Sequence, residues 1–307
     1  MITSIFSKSK PINFLLVFII TLLTFFVAHV KYGNLPVLTS QIVKQIIVFC
    51  ACFSSILVLD FFVSKNKLTH KSSYEILLYA LFLVAIPQTM LSENIVFSNF
   101  FVLLALRRIL SLRSHKDIKK KVFDAAFWIA IASLFYFWSI LFLILIFAAL
   151  LFNSINTIKE WLIPFIGVAT VYILAVCYSV LMYNDFVSAF NVVISTSFDF
   201  NTYNSLQYVA GVTLLISFGI WSSVFYIRSI QSKQKNFKPG YKVILIAVLI
   251  AFSIMIVSPK KEGGEFLFLF APLAIIMTNY LEIIQDKWFK ELFLAVLIVV
   301  PFGLLLL

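Results

Sequence analysis

The stretch that decides the topology runs from Val122 to Phe152, VFDAAFWIAIASLFYFWSILFLILIFAALLF. As one helix of about 30 residues it would be roughly 45 Å long at 1.5 Å per residue. That exceeds a hydrocarbon core of about 30 Å and demands strong tilt. As two short helices meeting around Phe137, Trp138 and Ser139, it leaves and returns to the same side of a bilayer, with aromatic residues at the interface. The choice sets the side of every later loop.

Basic residues favour the two-helix reading. Apolar segments are read near 12–30, 45–63, 74–91, 95–106, 123–137, 139–152, 161–183, 207–227, 243–258, 266–281 and 292–307. With the N-terminus inside, 20 of the 24 Lys and Arg fall on the inner side, leaving only Lys31, Lys44, Lys260 and Lys261 outside. The acids divide 8 and 5, so the sides carry +12 and −1. A single long helix would change the basic split to 14 and 10. The sharper split is the positive-inside asymmetry of a bacterial inner-membrane protein. The expected architecture is therefore all-α: a transmembrane helical bundle of about eleven spans with a cytoplasmic N-terminus. Whether 123–152 forms two spans or a re-entrant hairpin stays open.

Composition supports the same class. The 307 residues are 62% hydrophobic and 12% charged, with 35 Phe, against roughly 25% charged in soluble domains. Disordered and collagen-like chains are excluded, as is an outer-membrane barrel, whose short strands would alternate apolar and polar residues. The chain reads as one integral membrane domain over 1–307 with the lipid bilayer as its partner, and its net charge of +11 is a topological signal rather than a nucleic-acid footprint. Phe26-Val27-Ala28 before His29 is a poor signal-peptidase site, so the first apolar run reads as an uncleaved span. Cys50, Cys52 and Cys177 lie inside apolar runs, no His pair has ligand spacing, and there is no phosphate-binding glycine loop. No metal and no cofactor is expected, and protein partners are unspecified. The loop from Arg107 to Val122 reads as a solvated basic surface, and Asn184 to Ser205 as an interfacial helix plus loop.

Ionisable residues near apolar spans are the functional candidates. At inner span ends, Asp60, within reach of Lys65 and Lys67, and Asp124, after Lys119–Lys121, read as ion-pair or capping residues, and Glu75 as a helix-start residue. The outer side gathers Glu93, Asp185, Asp199, Lys260, Lys261, Glu262 and Glu265. Positive charges are disfavoured there, so the turn Ser258-Pro259-Lys260-Lys261-Glu262-Gly263-Gly264-Glu265 has two readings. It is a solvated turn whose lysines pair with Glu262 and Glu265, or it is a phosphate-binding turn in which the lysines act as point charges and the glycines allow close backbone approach.

The stretch SPKKEGGEFLFLFAPLAIIMTNYLE, Ser258 to Glu282, resembles a late segment of bacterial glycosyltransferases of the GT-C superfamily. The matching residues are Ser258, Lys260, Lys261, Phe268, Pro272, Leu273 and Ala274. A second similar region runs from Pro87 to Leu134, through Leu106-Arg107-Arg108 and Phe123-Asp124-Ala125-Ala126-Phe127. The resemblance implies transfer of a sugar from a polyprenyl-phosphate-linked saccharide at the periplasmic face. It places Lys260 and Lys261 on the lipid phosphate and a first-loop carboxylate as base. That loop, KYGNLPVLTSQIVK from Lys31 to Lys44, has no carboxylate, so Glu93, Asp185 and Asp199 are the remaining base candidates, with Glu262 and Glu265 also outside. Ser7-Lys8-Ser9-Lys10-Pro11-Ile12-Asn13 and Phe135-Tyr136-Phe137-Trp138 also resemble a family of bacterial membrane proteins of about 300 residues with no assigned activity.

Two functions compete: a GT-C-like glycosyltransferase lacking the usual first-loop acid, and a non-catalytic scaffold or lipid-binding component of an envelope assembly. A transporter would show inverted repeats with broken helices, and neither is legible.

Overall fold

The computed structural model describes residues 2–33, 39–70, 72–186 and 195–306. Among these residues the secondary structure is entirely helical: α1 (Ile2–Phe6), α2 (Pro11–Lys31), α3 (Thr39–Asn66), α4 (Tyr74–Ala85), α5 (Glu93–Leu110), α6 (Ile118–Phe135), α7 (Leu143–Phe152), α8 (Ile158–Tyr183), α9 (Leu206–Ser232), α10 (Lys238–Val257), α11 (Leu267–Ile283) and α12 (Lys287–Leu306). Eight helices among the described residues are long and apolar enough to cross a membrane. The chain is a membrane protein on that ground. Besides the short α1, the shorter or more charged elements are α4, α6 and the 137–152 segment.

Helix α4 is the middle of the bundle. All twelve of its residues are buried, and α11, which packs against it, is buried along almost its whole length. A helix that is apolar all round either lies in the interior or faces lipid. Here α4 takes the first course, with α2, α3, α9 and α12 around it, and α8 takes the second, exposing Phe165, Leu174 and Leu181. At about 18 Å, α4 is too short to span alone. Pro87 stops it, because the residue before proline is driven out of helical conformation, and a 3₁₀ turn over Pro87–Met90 completes the distance to Glu93.

The decisive stretch breaks where expected. Helix α6 ends at Phe135, Tyr136 is extended (φ −145°, ψ 107°), and a 3₁₀ turn over Phe137–Phe142 leads into α7. Ser139 fixes the break locally: its N–H and its hydroxyl both donate to the Tyr136 carbonyl, at 3.1 and 2.8 Å. The chain reverses, for the Tyr136 end lies by Ser258 while Lys242 sits over the Phe152 ring at the other end of α7.

Long-range contacts sort the connections into two ends. One gathers Tyr32, Gln88, Gln207, Tyr208, Tyr136 and the 258–266 turn. The other gathers Asn66, Leu68, His70, Ser72, Arg113, Tyr241, Asn279 and Glu282. The stretch from Arg107 to Val122 keeps the exposed basic surface expected of it at Lys116, Lys119 and Lys120, but its backbone is more helical than a loop. Helix α5 continues to Leu110, a 3₁₀ turn covers Ser111–Ser114, and α6 starts at Ile118. Two basic side chains of this stretch hold it in place: Arg113 donates to the Asn66 carbonyl at 2.8 Å and lies over Phe237, and Lys121 donates to the Ser111 carbonyl at 2.9 Å.

On the far side of α5, α6 is sandwiched against α8. Gly167 permits the contact: a Cβ there would stand 2.9 Å from the Ala126 Cβ and 3.1 Å from the Phe123 carbonyl oxygen. Small residues at such crossings let helix backbones approach closely in a membrane.

Candidate functional site

The 258–266 turn closes α10 onto α11. Ser258 accepts from the Tyr136 hydroxyl at 2.8 Å and donates to the Lys260 carbonyl at 2.9 Å. Gly263 holds φ +90°, a left-handed conformation that costs glycine little. The Tyr208 hydroxyl donates to the Glu262 carbonyl at 2.7 Å, beside Gly263. Tyr203 packs its ring against both Tyr208 and Phe266.

The two lysines of the turn have opposite surroundings. Lys261 is 4% exposed, and its ammonium donates to the Met255 and Ile256 carbonyls at 2.6 and 2.7 Å, over the Phe200 ring. Those carbonyls belong to the last turn of α10, which has no intrahelical donors left for them. Burial lowers the Lys261 pKa from the ordinary lysine value, and the two carbonyl bonds act the other way by favouring the cation. Lys260 points outward, with its side chain 75% exposed and Glu262 at 3.9 Å. The pair expected on one phosphate is thus divided, one ammonium on helix carbonyls and the other in the open.

The carboxylates are also scattered. Glu93 starts α5 and pairs with Lys44 of α3 at 2.6 Å. Asp199 is exposed and accepts from the Asn201 N–H at 3.0 Å, a local turn bond. Asp185 is exposed, and its backbone carbonyl accepts from the Ser179 hydroxyl at 2.6 Å. Glu262 stays at the surface beside Lys260. Glu265 is fully buried, and neither oxygen reaches a partner in hydrogen-bond geometry, with the Gly263 and Glu265 N–H groups as its nearest donors. The surface pairing expected between Glu265 and the lysines is corrected, since the 3₁₀ turn over Gly264–Phe266 carries this residue into the bundle. Residues 34–38 of the first loop and 187–194 of the expected interfacial helix lie outside the described residues.

The inner candidates are structural in part. Asp124 pairs with Arg108 across α5 and α6 at 3.0 Å. Asp60 has no cation within ion-pair distance among the described residues, which corrects its expected pairing with Lys65 and Lys67: those lysines lie at the end of α3, Lys65 over the Phe61 ring. Glu75 is in the first turn of α4, as a helix-start residue should be, yet it is 1% exposed and both oxygens lack partners.

The concave feature at the Tyr136 end was not legible in the sequence. It is an open cavity of about 540 Å³ between α6 and α8, lined by Asn94, Phe127, Phe135, Leu174, Ala175, Tyr178 and Tyr183. No charged residue lines it among the described residues. Among the described residues its polar side chains are one amide and two phenols. The volume falls in the range of ordinary ligand pockets, about 300–1,000 Å³. Only the spacing of Tyr178 and Tyr183 near the end of an apolar run could have hinted at it.

No curated protein and no solved structure matches the chain. One family model does, and it covers residues 1–305. On that match the chain belongs to the family of unknown function DUF6427.

Proposed function

We propose that this protein is an eleven-span, N-terminus-in protein of a bacterial inner membrane that binds the hydrocarbon chain of a lipid between α6 and α8, as a non-catalytic component of an envelope assembly. The observation that carries the reading is the uncharged cavity of about 540 Å³ whose α8 wall, through Leu174 and Tyr178, is exposed at the bundle surface. In a bilayer that wall borders acyl chains, and an apolar cavity there is filled by hydrocarbon rather than water. Asn94, Tyr178 and Tyr183 supply neutral hydrogen bonds for a polar end group.

Eleven alternating elements, α2 to α12 with 137–152 counted as one, agree with the two clusters of connections. The 20 to 4 division of basic residues supports the orientation. The glycosyltransferase reading has less behind it. A general base must reach the acceptor's proton, whereas Glu93 is ion-paired, Glu265 is sealed off, and Lys261 is occupied by helix carbonyls. A polyprenyl-phosphate-linked saccharide would find no cation for its phosphate in the cavity lining among the described residues.

The test is lipid retention. Purified protein should carry extractable lipid through delipidating washes, and Ala175→Trp, which fills the cavity, should cut the retained amount about tenfold. Equal retention by the variant refutes the reading. A C-terminal tag should be reachable from outside intact cells or spheroplasts, and protection of that tag refutes the span count.

A further inference from the structure

The opposite end of the bundle holds a larger concavity, a cleft of about 1,270 Å³. Four separate connections build it. Lys8 comes from the α1–α2 link, Lys67 from the end of α3, Lys233 from the end of α9 and Lys290 from the first turn of α12. One carboxylate, Glu282 at the end of α11, faces the same space, so the lining carries an excess of three positive charges, with the His70 ring beside it.

Glu282 does not neutralise these lysines by direct pairing. Its oxygens accept from the Ser72 hydroxyl at 2.5 Å and the His70 N–H at 2.9 Å, both neutral donors. None of the four ammonium groups lies within ion-pair distance of a carboxylate among the described residues. Lys233 rests over the Tyr241 ring at 5.1 Å and Lys290 over the Tyr74 ring at 4.8 Å. Such cation–π contacts position an ammonium without consuming its N–H donors.

The walls are fixed before any ligand arrives. The Tyr241 hydroxyl and the Asn279 amide both donate to the Leu68 carbonyl, at 2.8 and 3.0 Å, tying the α3–α4 connection to α10 and α11. The Tyr74 hydroxyl donates to the Thr3 carbonyl at 2.6 Å, and the Ser73 N–H to the Phe6 carbonyl at 2.9 Å, holding α1 against α4. Like charges held together on rigid walls repel one another, and a bound anion relieves that repulsion. Clefts lined by one sign of charge also concentrate the field.

We propose that this cleft is a binding site for a phosphate-bearing anion, held by Lys8, Lys67, Lys233 and Lys290 with hydroxyls such as Ser64 and Thr69 at the wall. The same chemistry is presented by a phospholipid headgroup and by a soluble diphosphate. Hydrogen-bonding lysines act on either as point charges. The site is at the end of the bundle away from the α6–α8 cavity and stands whatever occupies that cavity.

Two probes distinguish the sources. Pyrophosphate is titrated into the detergent-purified chain by calorimetry. Separately, nanodiscs of phosphatidylcholine with and without phosphatidylglycerol are compared for thermal stabilisation. Binding of pyrophosphate identifies a soluble source, and stabilisation by phosphatidylglycerol alone identifies a headgroup; either supports the site. Each lysine near such an anion contributes about fivefold in affinity, so Lys67→Gln with Lys233→Gln should weaken binding about 25-fold, while Lys67→Arg with Lys233→Arg retains it and Lys260→Gln changes nothing. Wild-type binding should also fall steeply as salt rises. Neither probe binding, or equal binding by the glutamine variant, overturns the proposal.

Discussion

Replacing Lys261 by Met distinguishes a lysine that builds the fold from one that waits for a ligand. Methionine keeps an unbranched apolar stem beside Phe200 and removes only the ammonium. The structure then leaves the Met255 and Ile256 carbonyls, now accepting at 2.6 and 2.7 Å, without donors. A hydrogen bond from a charged group contributes about 1.5–3 kcal/mol, so the two give about 3–6 kcal/mol gross. Methionine avoids the cost of desolvating an ammonium, several kcal/mol before pairing is counted. Set against the gross 3–6 kcal/mol, that saving leaves an expected net loss of about 1–3 kcal/mol. Lys260→Met, next door, removes an exposed ion pair at 3.9 Å and should cost about 0.5 kcal/mol or less. Both are measured by reversible unfolding in mixed micelles of rising SDS fraction, without added ligand. If the two variants lose equal stability, the argument that Lys261 is a cap for α10 is wrong.

Further outcomes follow from buried positions. Gly263→Ala forces a side chain into left-handed backbone, about 1–2 kcal/mol, and against the Tyr208 ring, where Cε1 would lie 2.7 Å from the new Cβ; a loss of about 3 kcal/mol in the same unfolding assay is expected, and a neutral result removes the turn geometry. Gly167→Leu overfills the α6–α8 contact, for about 1–3 kcal/mol, and should lower lipid retention along with stability; retention unchanged in a destabilised variant would separate the cavity from that contact. Glu75→Leu replaces a buried carboxyl whose oxygens have no partners, so stability should rise by about 1–3 kcal/mol. A fall of that size would mean Glu75 has a partner beyond those described.

The apolar segments were readable from long hydrophobic runs, and the break near Phe137–Ser139 from helix length and the balance of basic residues, whereas the stop at Pro87 inside the 74–91 segment and the Ser139 bond to the Tyr136 carbonyl came only with the structure. Expectations failed where a residue's role depends on distant chain. The 107–122 stretch looked like a loop because it is charged, yet Arg113 and Lys121 have acceptors on Asn66 and Ser111 that support a nearly continuous helical path. Glu265 looked like a surface acid because lysines precede it, yet a turn of 3₁₀ helix carries it inside.

The membrane class follows from composition and the length of the apolar runs, and charge asymmetry adds a preferred orientation, because transfer into hydrocarbon is summed along a chain and needs no knowledge of neighbours. Which helix is central was left to the tertiary structure. Helices α4 and α8 are both apolar, but lipid tails are as apolar as leucine, so hydropathy cannot tell the buried helix from the one facing the bilayer. Packing decides that, and with it the cavity beside α8 and the cleft where four separated lysines meet.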